Sequence, residues 1–352
     1  MSSRLQYVFV IMLFVLFLDD NLLIFTNYNQ GKNFMHYDVF NGDADGIIAL
    51  IQLRLAEPIE STLITGVKRD ISLVKQVDLS LAKSVTVLDI SMEKNTEAVT
   101  ALLSEQVPVF YVDHHRTGDV PESSFLTSLV NTSADVCTSL LVNDYLKGQH
   151  HLWAIAAAYG DNLKAVANRH CQLKGLSASL STQLESLGTY VNYNGYGRTV
   201  DDLHYAPDDL YKKLLSYETP ENLFSQKSSL FYDLESAYNQ DMSMAQNAQV
   251  LFDNEVCKVL VLDDAKWSRR VSGVFGNELA NQAPNKAHAV LTKNLDGSYT
   301  VSVRAPLNNK QGADEVCIQF PTGGGRAGAA GINALGEEQI ETFISVLHNY
   351  YD

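Results

Sequence analysis

The sequence predicts an α/β protein whose N-terminal parallel sheet is followed, through a helical linker, by a smaller α/β unit. Three observations carry this. From Tyr37 onward short β-rich runs alternate with helical stretches, the pattern of parallel strands joined by crossover helices. The 352 residues are 46% hydrophobic and only 19% charged, a cored composition of about two domains. The alternation then lapses between residues 191 and 250 before a second set of strands begins.

Taken in order, YDVF gives the first strand and a helix runs from Gly46 to Ala56. STLITGV and SVTVLDI are the next strands, a helix covers Glu93 to Glu105, and VPVFYVD is the fourth strand. Residues 135–190 carry apolar side chains at three-to-four spacing, as in ADVCTSLLVNDYL and HLWAIAAAYGDN, and read as helices. NYNGYG at 192–197 is turn-rich, and 216–250 is an amphipathic, polar connection without strand signals. The second unit has KVLVLDD, a helix capped by Ser268, and AHAVLTK and SYTVSVR joined through Asn294-Leu295-Asp296-Gly297. It ends with GGGRAGAAG and a last helix. The domains are therefore 35–215, a linker at 216–250, and 251–352.

Residues 1–34 stand apart. Val8 to Leu18 is an apolar run behind Arg4, shorter than the about 20 residues that a spanning helix needs. It has the length of a secretory h-region but lacks a small-residue cleavage site. The expectation is an extension outside the folded core, with Met35 as the natural start; a membrane-tethering helix is the alternative.

The chain has 41 acidic against 26 basic residues, a net charge of −15. Such a surface repels a long polyphosphate, so counterion-release binding of DNA or RNA is excluded as a main function. A small anionic substrate held by a metal and a few arginines remains. Cys137, Cys171, Cys257 and Cys317 are scattered without C-x-x-C, so they read as packed, reduced thiols, consistent with a cytoplasmic protein.

Each predicted strand of the first sheet ends in polar residues: Asn41-Gly42-Asp43-Ala44-Asp45-Gly46, then Lys68-Arg69-Asp70, then Asp89, then Asp113-His114-His115. Asp161 ends a predicted helix. Ligands bind at the carboxyl ends of strands in open α/β sheets, so these groups converge on one edge. Singly, each is an ordinary cap or turn residue. Gathered within about 5 Å, carboxylates repel by about 3 kcal/mol per pair at an effective dielectric near 20, and the expectation is that only bound divalent cations stabilise the set. Carboxylates with imidazole suit Mn²⁺ or Mg²⁺, and two such ions would support phosphoester hydrolysis.

FNGDADG, VLDIS, VDHHRTG and AAYGDN, followed by TGGGRAGAAG, resemble the motifs of the DHH phosphoesterases with a C-terminal DHH-associated domain, over nearly everything from Met35 onward. The resemblance implies a DHH catalytic domain and a substrate-binding associated domain. It makes Asp43, Asp45, Asp89, His114 and Asp161 ligands to two Mn²⁺ ions, with Asp89 bridging and Mg²⁺ as the substitute. It makes His115, with Asp89 and His114, catalytic, and Asp113 an orienting neighbour. Two departures stand out. Asn41 occupies the neighbourhood where many members have a histidine, with His36 too far upstream to replace it, and Arg326 follows the glycines where histidine is usual.

Gly323, Gly324 and Gly325 offer bare backbone to a phosphate, and Arg326 supplies charge. Arg304, ending TVSVR, resembles the family arginine for a terminal phosphate. Arg269 and Arg270 read equally as phosphate contacts or a solvated helix face, Lys68 and Arg69 as a surface charge pair more than as phosphate contacts, and Trp267, Tyr193 and Tyr196 as packing or loop residues rather than base-stacking platforms. The expected function is a cytoplasmic Mn²⁺-dependent phosphodiesterase cleaving linear dinucleotides such as pGpG, or very short oligoribonucleotides, to mononucleotides. The alternatives are a pAp phosphatase, a cyclic-dinucleotide phosphodiesterase, a single-strand exonuclease, a nucleotide-sensing protein with a degenerate site, and a membrane-tethered regulator. Expected partners are a small nucleotide substrate and, by resemblance, a second copy in a homodimer, with no long nucleic acid and no membrane.

Overall fold

The computed structural model describes residues 35–352; the apolar extension and the readings made of it lie outside the described residues. Strands β1 (Met35–Phe40), β2 (Ser61–Ile64), β3 (Ala82–Leu88), β4 (Val109–Asp113) and β5 (Leu126–Val130) form a wholly parallel sheet in the order β2-β1-β3-β4-β5. β5 went unread because it is an edge strand with a polar, half-exposed sequence, LTSLV. Helices α1 (Ala44–Ala56) and α2 (Thr96–Ser104) complete the alternating part.

Side chains that alternate along each strand divide between two cores. Phe40, Leu88 and Val112 face one layer, packed on Ile47 and Ile51 of α1. Tyr37, Val39, Val85, Val87 and Tyr111 face the other, against Val99 and Leu102 of α2. On the α1 side Asp38 is fully buried and is satisfied by Arg54, by Ser61 at 2.6 Å and by His36 at 3.1 Å. Burial raises that carboxyl, but His36 and Arg54 outweigh it and hold it below the ordinary value. His36 is thus committed to this network at the start of β1.

The first core continues through α3 (Thr138–Tyr145), α4 (His151–Gly160), α5 (Lys164–Leu173), α6 (Ala178–Asn194) and α7 (Pro207–Leu215). The turn expected at 192–197 begins only after α6. Residues 216–250 are helical, as expected of the connection, but they pack as part of the first unit: α8 (Pro220–Phe224) and α9 (Leu230–Ala245) bury Leu223, Phe224, Leu230, Phe231 and Leu234 in this same core. Where α4 crosses α6, Gly160 and Gly188 face each other with no room for a side chain.

The second sheet contains β6 (Gln249–Asp253), β7 (Cys257–Leu262), β8 (Ala287–Lys293), β9 (Tyr299–Arg304), β10 (Gly323–Arg326) and β11 (Ala329–Leu335), ordered β10-β11-β9-β8-β7-β6. All neighbours are antiparallel except β7 and β8. α10 (Lys266–Gln282) covers one face through Val271, Val274 and Phe275. α11 (Ala313–Cys317) and α12 (Ile340–Tyr351) cover the other through Val316, Phe343 and Leu347. Ser268 does not cap α10: Ala265 holds the cap position and Ser268 is buried one turn in. The four cysteines are buried and unpaired.

Candidate metal centre

The carboxyl edge of the first sheet gathers the acidic and histidine residues. After β1 the chain turns directly into α1, which starts earlier than expected because Asp43 caps it. One oxygen of Asp43 accepts from the Asp45 N–H at 3.0 Å and the Gly46 N–H at 3.2 Å. Gly46 is required there, since a Cβ would stand 2.3 Å from the Asn41 carbonyl oxygen. Asp45 is held by the start of α3: its two oxygens accept from the Thr138 and Ser139 N–H groups, each at 2.7 Å. Helix N-termini favour such anions.

Asp89 follows β3 with φ of 59°, a left-handed conformation that a non-glycine residue adopts at a cost. His114 and His115 follow β4. The Nδ1–H of His114 donates to the Val136 carbonyl at 2.8 Å, which leaves Nε2 as the basic atom. Around that atom lie Asp89 Oδ1 at 3.4 Å, Asp45 Oδ2 at 3.7 Å and Asp161 Oδ2 at 3.9 Å. His115 Nδ1 donates to Asp113 at 2.7 Å and lies 3.7 Å from Asp89. Donor atoms of Asp89, His114 and His115 all fall within 4.8 Å of one another, and Asp89 and His114 are buried. This is a set of hard oxygen and imidazole donors that fits a divalent ion.

The electrostatics agree. Burial, reinforced by Asp45, Asp43, Asp113 and Asp161, pushes the Asp89 carboxyl well above its ordinary value. Asp45 is raised too, by burial and by Asp161 and Asp43, with His114 opposing. Burial and the Arg326 charge lower His114 and keep it neutral, as a ligand must be.

Two protein cations also enter this cluster, and they correct the expectation that only bound ions could stabilise it. The Lys68 ammonium ion-pairs with the free oxygen of Asp43 and donates to Asn192 at 3.0 Å. Arg326, reaching over from β10, donates to Asp161 at 3.2 Å and to His114 Nε2 at 3.0 Å. Despite burial, Lys68 holds Asp43 below its ordinary value, and Arg326 does the same for Asp161 with His114 and Lys68. Lys68, placed by the sequence at the converging edge but weighed there as more a surface charge than a phosphate contact, is instead a buried partner of Asp43. Its position after β2, on the ligand-binding edge, was the available signal.

The remaining candidates divide. Gly323, Gly324 and Gly325 form strand β10, hydrogen-bonded to β11, and deliver Arg326 at its end. Arg304 is buried, and its guanidinium meets only neutral acceptors among the described residues: Asn277 at 2.5 Å, Ser302 at 3.1 Å, and the carbonyls of Val303 at 3.0 Å and Gly273 at 3.1 Å. Arg269 is consumed by Asp202 and Asp264, and Arg270 by Asp241. Tyr193 and Tyr196 are buried and Trp267 packs against the same core. A cavity of about 490 Å³ lies beside Arg69, Tyr196, Arg198, Thr300 and Asn333. Arg69 donates to Asn333 at 2.8 Å there.

No helix among the described residues is long and apolar enough to cross a membrane. Residues 256–351 match the DHHA1 domain family. No curated protein matches the chain in sequence. The chain is similar in fold to the DHH domain of a member of the s1p family of ribosomal proteins, with TM-score 0.57 and 12% identity over 90% of this chain and 86% of that one. It is similar to RecJ from Thermus thermophilus in complex with Mn²⁺, with TM-score 0.55 and 15% identity over 90% of this chain and 52% of that one. It is also similar to the pGpG-specific phosphodiesterase PggH from Vibrio cholerae, with TM-score 0.53 and 12% identity over 90% of this chain and 98% of that one.

Proposed function

We propose that the chain is a DHH-family protein with a C-terminal DHHA1 domain, and that it is a metal-dependent phosphodiesterase hydrolysing linear dinucleotides or very short oligoribonucleotides to mononucleotides. The observation that carries this reading is the convergence of Asp45, Asp89 and Asp161 on the Nε2 atom of His114, with Arg326 of the second sheet reaching into the same cluster. Asp45, Asp89, His114 and Asp161 would hold Mn²⁺ or Mg²⁺, which when bound supplies Lewis acidity toward a phosphoryl oxygen and toward water. Asp113 fixes the tautomer of His115 with Nδ1–H on the carboxylate, so Nε2 is the atom that exchanges a proton with the reacting phosphate group. Arg326 exchanges its contact with Asp161 for a non-bridging phosphate oxygen, a geometry that a guanidinium can match with two parallel hydrogen bonds.

Substrate length would be set by a second anion site. Arg304 is buried among neutral acceptors, and Arg69, near it, opens on the cavity that Tyr196, Arg198 and Asn333 line with Asp70 and Asp296. A terminal phosphate received there would sit at a set distance from the cluster, which favours a short linear substrate over a polymer. The occupation of the cluster by Lys68 and Arg326 favours a second reading, nucleotide sensing without hydrolysis.

The test is cleavage of 5′-labelled ribo-oligomers of two to seven nucleotides with Mn²⁺, alongside pAp and a cyclic dinucleotide. Rapid cleavage confined to the shortest linear substrates is expected. Cleavage of pAp or of the cyclic compound alone would replace the proposed substrate class, and nucleotide binding without cleavage would establish the sensing reading instead.

A further inference from the structure

The donors at the carboxyl edge are sorted into two groups. Asp45, Asp89 and Asp161 surround His114 Nε2 at 3.4 to 3.9 Å. Asp43 differs in its partners: one oxygen caps α1 and the other takes the Lys68 ammonium, whereas Asp45 accepts only backbone N–H groups and Asp161 shares the Arg326 guanidinium with His114. The lysine is itself placed by the fold. Its backbone N–H donates to the Gly195 carbonyl at 2.8 Å and its carbonyl accepts from Asn41 Nδ2 at 3.2 Å, while its ammonium donates to Asn192. Asn41 Oδ1 is buried and has no hydrogen-bond partner. A lone carboxamide oxygen is a poor substitute for an imidazole or carboxylate as ligand to a second ion.

We propose that this centre takes one divalent ion, held by Asp45, Asp89, His114 and Asp161, and that the Lys68 ammonium permanently stands where a second ion would be. The proposal rests on the reading of the cluster as a metal centre and narrows it. A second ion would meet the ammonium on Asp43 and would have to displace it, breaking the Lys68 bonds to both Asp43 and Asn192 and leaving a buried ammonium without those partners.

The experiment is a Mn²⁺ titration of the full chain by calorimetry, with the bound metal counted by mass spectrometry after desalting and its electron paramagnetic resonance recorded. One ion per chain is expected, with the spectrum of an isolated Mn²⁺. Asp43→Asn should keep that stoichiometry with affinity reduced by about 10-fold, as for an outer-shell change, whereas Asp161→Asn should weaken binding by more than about 100-fold. The double variant Asn41→His with Lys68→Ala should gain a second ion and an exchange-coupled spectrum. Circular dichroism checks that each variant is folded, and the wild-type count decides the matter without them. Two ions per wild-type chain would overturn the proposal and leave the metal centre standing; no bound ion would overturn both.

Discussion

Replacing Gly188 with alanine tests whether the crossing of α4 and α6 sets the position of a metal-centre carboxylate. The new methyl would stand 1.8 Å from the Ala156 carbonyl oxygen and 2.7 Å from the Gly160 nitrogen, against 3.4 Å for ordinary contact. These are backbone atoms, so α6 must retreat by about 1.6 Å, the difference between 3.4 and 1.8 Å. Overpacking of this kind costs about 3 kcal/mol at the upper end of its range, and the better helix propensity of alanine returns about 1 kcal/mol. A net loss of about 2 kcal/mol corresponds, for a unit of this size, to a fall in Tm of about 3 °C. Asp161 follows Gly160 directly, so the same displacement shifts its carboxylate relative to Asp45, Asp89 and His114. Thermal unfolding followed by circular dichroism gives the first quantity, and Mn²⁺ titration the second, expected to weaken by about 10-fold. An unchanged Tm would refute the packing argument; a lowered Tm with unaltered Mn²⁺ affinity would refute the link to the centre.

Two further outcomes are expected. Asp89→Ala should reduce hydrolysis by more than about 1000-fold with little rescue by excess substrate, while Arg326→Ala should mainly raise KM, by about 10- to 100-fold, the value of a charged hydrogen bond; a kcat loss at unchanged KM for Arg326→Ala would contradict that division. Burial, with Lys258 adding, holds His288 down to about 4 from its ordinary 6.5. The neutral ring therefore contributes stability that is complete above pH 6.5 and is lost as pH falls toward 4. Between pH 7 and pH 5 the loss is about 2 kcal/mol. In urea unfolding, His288→Gln should show a pH dependence flatter by that amount, and an unchanged slope would count against the assignment.

The polar strand ends were legible because the parallel-sheet rule says which end of each strand a ligand meets, and Asp43, Asp45, Asp89, His114 and Asp161 lie at that edge in the structure. What escaped was pairing at a distance. Lys68 and Asp43 are 25 residues apart, and nothing local tells a lysine aimed at a buried carboxylate from one in solvent. Arg269 and Arg270 likewise needed Asp202, Asp264 and Asp241 to be recognised as spoken for. β5 hid because an edge strand needs no apolar run. α8 and α9 were legible as helices of a connection, but their docking on the first core was not, because their few buried positions are diluted by polar ones that face solvent.

The left-handed backbone at Asp89 places a cost on the resting protein that its function alone justifies. Glycine or asparagine at that position would relax a strain of about 1 to 3 kcal/mol, and either would also remove a carboxylate from a crowd of like charges. Under the proposed function, folding and catalysis therefore pull this residue in opposite directions. A selection for thermostability that does not also demand turnover will dismantle the centre, and it will begin at residue 89.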